Sequence, residues 1–122
     1  MSNTQQFNNQ KYLNLETYRK SGQAMPTPVW FVEDGGAYYI RTVQNAGKVK
    51  RARNNPSVRI VPCGQRGEVK GEWVRGVASI ATPAEAGKVD RLLNQKYGLL
   101  KRLFDLMQRG RGADVIKVVV NP

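Results

Sequence analysis

Arg41-Thr42, followed by Asn45-Ala46-Gly47-Lys48-Val49-Lys50-Arg51-Ala52-Arg53-Asn54-Asn55-Pro56 and then by Ser57-Val58, is the stretch on which the reading of this chain turns. A β-type run ends at Arg41-Thr42 and another opens at Ser57, so a short helix stands between two strands. Asn45 can cap that helix, and Pro56 prevents its continuation. Val49 and Ala52, three residues apart, face the core together, while Lys48 and Arg51 share a neighbouring face. Backbone N–H groups and the positive end of the helix dipole point outward at its start. Gly47 permits close approach there, and two cations add charge-assisted hydrogen bonds, an arrangement that suits a phosphate. A solvated basic helix has the same pattern.

Strand signals surround this segment. Tyr12 to Lys20 and Met25 to Val32 are extended runs joined by Ser21-Gly22-Gln23, a hairpin turn. Pro26 and Pro28 cannot donate to a ladder, so the second run belongs at an edge, at a bulge or where the strand leaves the sheet beside a ligand. Asp34-Gly35-Gly36 separates Val29-Trp30-Phe31-Val32 from Ala37 to Thr42, and an Asp-Gly step between apolar runs marks a second hairpin. Two consecutive hairpins predict an antiparallel meander. Ser57 to Cys63 and Glu68 to Ala81 continue the strand series, with Gly64 to Gly67 as a turn and Gly71 and Gly76 as bends or bulges. Thr82-Pro83-Ala84-Glu85 combines an N-cap, a proline at the first helical position and a capping-box glutamate. The helix it opens carries Val89, Leu92, Leu93, Tyr97, Leu100, Phe104 and Met107 at helical spacing, with a possible break at Gly98 and an end at Gly110 and Gly112. Val115 to Val120 supplies a last strand.

Composition limits the chemistry. The 122 residues carry 20 Lys plus Arg against 9 Asp plus Glu, a net charge of +11, which points to an anionic partner: nucleic acid, an anionic membrane surface or a small phosphorylated ligand. Simple solubility is the alternative reading of the same charge. With no His and a single Cys63, the chain cannot build a Ser-His-Asp triad, a Cys-His pair, a His-ligated zinc site or an internal disulfide. No apolar stretch approaches the roughly 18 residues of a membrane span, and no membrane partner is expected. Residues 1–11 begin with an Asn- and Gln-rich run without the apolar region of a signal peptide and read as a flexible lead. Residues 12–122 read as a single domain, and the cytoplasm is the expected compartment.

The order of these motifs resembles the pyridoxamine phosphate oxidase-like split β-barrel superfamily, in which a strand ending in Thr, a Lys on a short helix and an Asn-Pro-x-Val step follow one another as Arg41-Thr42, Lys48 and Asn55-Pro56-Ser57-Val58 do here. The chain is similar, more closely, to the probable deazaflavin-dependent enzymes of that superfamily. The likeness runs through Asn14-Leu15-x-Thr17, Thr27-Pro28-Val29-Trp30-Phe31-Val32, Gly47-Lys48-x-x-Arg51, Gly71-x-Trp73 and Lys96-Tyr97-Gly98, over about residues 12 to 104. The resemblance implies a mainly β fold: a six-stranded antiparallel split barrel of the FMN-binding type, with one long helix in the C-terminal half. It also implies a homodimer that holds FMN or the deazaflavin coenzyme F-420 in a groove at its interface and transfers hydride to or from a small organic substrate. By position, Lys48, Arg51 and Thr42 would meet the cofactor phosphate, with Gly47 and Arg41 beside them, and Pro28, Val29 and Trp30 would lie along the ring. Hydride chemistry resides in such a cofactor, so the absence of His is no obstacle.

Departures from the pattern restrict the expectation. Gly47-Lys48 stands where a pyridoxamine phosphate oxidase has an Arg-Lys pair, and the Arg-x-His signature near its C-terminus is missing, which argues against oxidation of vitamin B6 phosphates. Trp30 either stacks on a ring or fills the core. Trp73, between Gly71 and Gly76, is either a cofactor or dimer contact or plain packing. Cys63 reads as structural. Arg41, Arg59 and Arg75 could meet a substrate or the acidic tail of a deazaflavin. The rival class is a nucleic-acid-binding module tracking phosphates with Lys48, Lys50, Arg51, Arg53, Lys101, Arg102, Arg109 and Arg111. It is disfavoured, because such modules interleave stacking aromatics with their cations and these stretches hold few. A cofactor-binding protein without turnover is the third class.

Overall fold

The chain was described from a computed structural model that covers residues 4–107, 110 and 112–121. Seven strands form one antiparallel sheet: β1 (Tyr12–Tyr18), β2 (Ala24–Val29), β3 (Val32–Asp34), β4 (Ala37–Val43), β5 (Ser57–Cys63), β6 (Val74–Ile80) and β7 (Ala113–Val120). Helix α1 (Gly47–Asn54) joins β4 to β5, and α2 (Pro83–Tyr97) and α3 (Leu99–Met107) lie between β6 and β7.

The sheet order is β2-β1-β5-β6-β7-β4-β3. β2 and β3 are thus opposite edges, yet only Trp30 and Phe31 separate them in the chain. Three residue steps reach at most roughly 10 Å, so the sheet has to curl until its two edges meet, and it becomes barrel-like. The expected meander therefore breaks at Trp30-Phe31. Each hairpin forms as read, Tyr18 pairing with Ala24 and Asp34 with Ala37, but the two hairpins stand at opposite edges. Gly35 and Gly36, at φ 60° and 83°, make the two-residue turn that the Asp-Gly-Gly sequence announces. Pro26 and Pro28 sit on the edge strand β2, where an absent N–H costs least.

Three expectations need correction. The barrel has seven strands rather than six, because Met25–Val32 splits at Trp30-Phe31 and leaves β3 as a strand of its own. The single long helix is two: Gly98, at φ 54°, terminates α2 and re-aims the chain into α3. The lead is not simply flexible over residues 4–11. Gln5–Phe7 forms a 3-10 turn, Phe7 is buried against Phe31 and Tyr38, and the Gln6 side chain bonds the backbone of Glu72. In addition, Glu68–Ala81 contributes strand only at Val74–Ile80, and Val69 makes a single bridge to Cys63.

Strand alternation divides the apolar residues into two cores. Leu13, Leu15, Ile40, Ile60, Ile116 and Val118 point into the barrel with Val49 and Ala52 of α1, all essentially buried. Each of these Leu, Ile and Val side chains contributes about 1.5–3 kcal/mol by leaving water. A second cluster joins Val32, Tyr39 and Val115 on the outer surface to Val89, Leu93 and Tyr97 of α2. Thr82 and Glu85 close the expected capping box, Glu85 also pairing with Lys117 at 2.8 Å. Gly76 is required where β6 meets β7, since a Cβ there would stand 2.8 Å from the Val119 carbonyl oxygen.

Candidate functional site

Asn45 does not cap α1. It sits at φ 59°, left-handed, and the capping position falls to Ala46, which has no side-chain bond to offer. The Asn45 backbone N–H instead donates to Asp114 at 2.9 Å, tying the turn to the start of β7. The rest of the local reading holds. Val49 and Ala52 are buried, the helix ends at Asn54 ahead of Pro56, and Lys48 and Arg51 lie on the adjoining face.

Lys48 Nζ donates to Thr42 Oγ1 at 3.0 Å, and Arg51 Nε donates to Thr17 Oγ1 at 2.7 Å. Among the described residues neither cation forms a salt bridge with a carboxylate. Burial, and then the neighbouring Arg51 charge, push the Lys48 ammonium below the ordinary lysine pKa. Two half-buried cations that repel one another are a poor resting arrangement and a good anion receptor. The space left by Gly47 is used by Arg51: a Cβ there would meet the guanidinium at 2.8 Å.

Lys48 and Thr42 stand at one end of a cavity of about 450 Å³, within the roughly 300–1,000 Å³ of small-molecule sites. Pro28, Val29 and Trp30 form one wall as β2 leaves the sheet, and Phe104 of α3 with Leu93 of α2 contributes the other apolar surface. Trp30 is stacked on Tyr97 with ring centroids 4.4 Å apart and 10° between planes, and tilts toward Phe104 at 5.5 Å. It is therefore packed and cavity-lining at once. The Tyr97 hydroxyl accepts from the Phe31 N–H at 3.0 Å and donates to the Lys11 carbonyl at 2.7 Å, while Lys96 Nζ donates to the Phe31 carbonyl at 2.8 Å. The Lys96-Tyr97 step thus clamps the crossover that carries Trp30.

Charge at the other end is fully compensated. Lys101, 2 % exposed, reaches Asp105 at 2.6 Å and Asp90 at 2.9 Å, and Arg41 meets Asp105 at 2.6 Å. Burial disfavours the Lys101 ammonium, but the hydrogen bonds it donates to both carboxylates outweigh it and hold its pKa above the ordinary value.

Of the expected residues, Pro28, Val29, Trp30, Arg41, Thr42 and Lys48 come together around this cavity. Gly47 and Arg51 adjoin Lys48 on α1 without lining it. Trp73 does not reach it: its ring lies 4.7 Å beneath the Arg59 guanidinium, which pairs with the buried Glu16 across β1 and β5. Alternation along β1 puts Glu16 on the face opposite Leu15, so this cluster belongs to the outer surface of the barrel. Tyr12, Val43, Gln65, Leu93, Lys101 and Phe104 line the cavity without having been picked out for it. The i,i+4 spacing of Lys101 and Asp105 was the available signal for one of them. Cys63 is structural as expected, its thiol buried and pushed up to about 11 by desolvation. Of the cations assigned to the nucleic-acid reading, Lys101 is buried, and Arg109 and Arg111 lie outside the described residues.

No protein-family model matches the chain, and no curated protein does. Solved structures do. The haem storage protein HutZ of Vibrio cholerae superposes with a TM-score of 0.73 at 17 % identity, over 93 % of this chain and 84 % of its own. An F420 reductase gives 0.68 at 19 % identity, over 97 % and 92 %. A pyridoxamine 5'-phosphate oxidase homologue from Listeria innocua gives 0.61 at 16 %, over 92 % and 85 %. Identities this low establish the fold alone: the chain shares the β-barrel fold of these proteins.

Proposed function

We propose that the chain binds a flavin-type cofactor, FMN or the deazaflavin coenzyme F-420, and serves as an oxidoreductase on a small organic substrate. The observation that carries this reading is the make-up of the cavity: Lys48, a cation without an acid partner, stands beside Thr42 with Arg51 behind it on the same helix, and Pro28, Val29, Trp30, Leu93 and Phe104 supply an apolar lining. A ligand with an anionic arm and a planar ring fits both. Lys48, Thr42 and Arg51 would hold the phosphate; the Pro28-Val29-Trp30 segment and Phe104 would flank the ring and keep water from it. When bound, such a cofactor supplies the hydride chemistry. Among the described residues no His, Cys, Asp or Glu lines the cavity, which that chemistry tolerates. Two copies would pair over the open groove.

The same absence of His and carboxylates from the described lining supports a second reading, a cofactor carrier without turnover, and the haem storage role of one fold neighbour accords with it. Fluorescence titration with FMN and with F-420 is the test. Binding at micromolar concentration that weakens by about 10-fold or more in Lys48→Ala supports the proposal, given the roughly 1.5–3 kcal/mol of a charged hydrogen bond. No binding of either cofactor, together with a steep salt slope for single-stranded nucleic acid, refutes it. Reduction of the bound cofactor, followed by its reoxidation on adding substrate candidates, separates enzyme from carrier.

A further inference from the structure

Helix α3 is inside out. Leu99, Leu100, Leu103, Leu106 and Met107 fall within one arc of about 120° at 100° per residue, and each is more than half exposed, from 53 % to 79 %. Its charged side is the buried one, with Lys101 and Asp105 turned onto Asp90 and Arg41. An ordinary surface helix does the reverse. Among the described residues eight large apolar side chains are exposed, and five of them stand on these nine residues, so the exposure is a patch rather than scatter.

We propose that this face of α3 docks on an anionic lipid bilayer. Charge selects that occupant. Between Lys88 and Gly112 the sequence holds seven cations against two acids; Lys88 is paired with Asp34 and Lys101 is buried, but both acids, Asp90 and Asp105, are engaged by Lys101 and Arg41, so the segment keeps an excess of positive charge. Arg102 beside the apolar arc and Arg91 on α2 are exposed. A second copy laid on this face would bring like charges together, whereas acidic headgroups meet them with the opposite sign while the leucines enter the acyl boundary. The helix lies parallel to the surface, and its nine residues are far too short to cross. Phe104 and Lys101 of the same helix line the cavity, so docking brings the site to the lipid surface. The inference stands whether or not the cavity holds a flavin.

Flotation of the full chain with vesicles of phosphatidylcholine alone, and of phosphatidylcholine mixed with phosphatidylglycerol, tests it. The expected result is binding to the anionic vesicles, weakened by salt and reduced at least about 10-fold in a Leu103→Asp, Leu106→Asp double variant. Arg102→Gln should weaken binding several-fold at low salt. Both variants alter exposed side chains, and circular dichroism melts confirm that they fold. Absence of wild-type binding, or equal binding to neutral and anionic vesicles, overturns the proposal. Sedimentation velocity without lipid supplies the other decisive outcome: a wild-type dimer that the double variant dissociates assigns the face to a second copy instead.

Discussion

Two pairs of cations, Arg41 with Lys101 lining the cavity and Lys48 with Arg51 reaching it through Lys48 alone, are treated oppositely by the fold. Arg41 and Lys101 share Asp105, and Lys101 has Asp90 as well, so that end is neutral and locked. Lys48 and Arg51, at the other end, have only the hydroxyls of Thr42 and Thr17. A buried cation held between carboxylates has nothing left to offer a ligand, whereas a half-buried one facing a hydroxyl gains most when an anion arrives. Under the proposed function α1 is the binding element and the α3 side is the frame that keeps the cavity open.

The largest effect expected of breaking this contrast is on stability. Asp105→Ala leaves Arg41 unpaired and the buried Lys101 with Asp90 alone, and should cost about 3 kcal/mol in urea unfolding, the low end for a broken buried pair. Lys101→Met, which removes the buried charge itself, should cost clearly less; equal losses would mean that the pair acts as an ordinary surface bridge. At the other end, Thr42→Val removes the hydroxyl that orients Lys48 and should weaken flavin binding by about 0.5–1.5 kcal/mol in a fluorescence titration, with little change in unfolding.

The smallest effect concerns pH. Lys96 is exposed along its length, but its ammonium is drawn against Phe31, and burial lowers its pKa from 10.5 to about 8. The unfolded chain then holds more protons between those two values, so stability rises with pH across that window. Lys96→Met should flatten the rise in melts taken from pH 8 upward. Lys101 has the opposite sign, since its raised pKa makes its contribution fade at high pH.

How legible all this was depends on whether the information lay along the chain or across it. Val49, Ala52, Lys48 and Arg51 were readable because one turn of helix fixes their faces, and the Gly35-Gly36 hairpin because its dihedrals demand those residues. Phe104 shares the helical spacing of Leu93 and Tyr97, yet it lines the cavity, because Gly98 turns α3 and spacing continued through a glycine says nothing of direction. Lys101 resembled one more solvated cation until tertiary contact placed Asp90 beside it. Trp73 stands outside the cavity because its place against Arg59 depends on the register of β5 against β6, which no local motif encodes.

The central claim, that the acid-free cations are the anion receptor, is tested most directly by titrating FMN into Lys48→Ala and Lys101→Met side by side. The account predicts a loss of about 10-fold or more for Lys48→Ala, from the roughly 1.5–3 kcal/mol of a charged hydrogen bond, and less than about 3-fold for Lys101→Met. Equal losses, or a larger one for Lys101→Met, would contradict it.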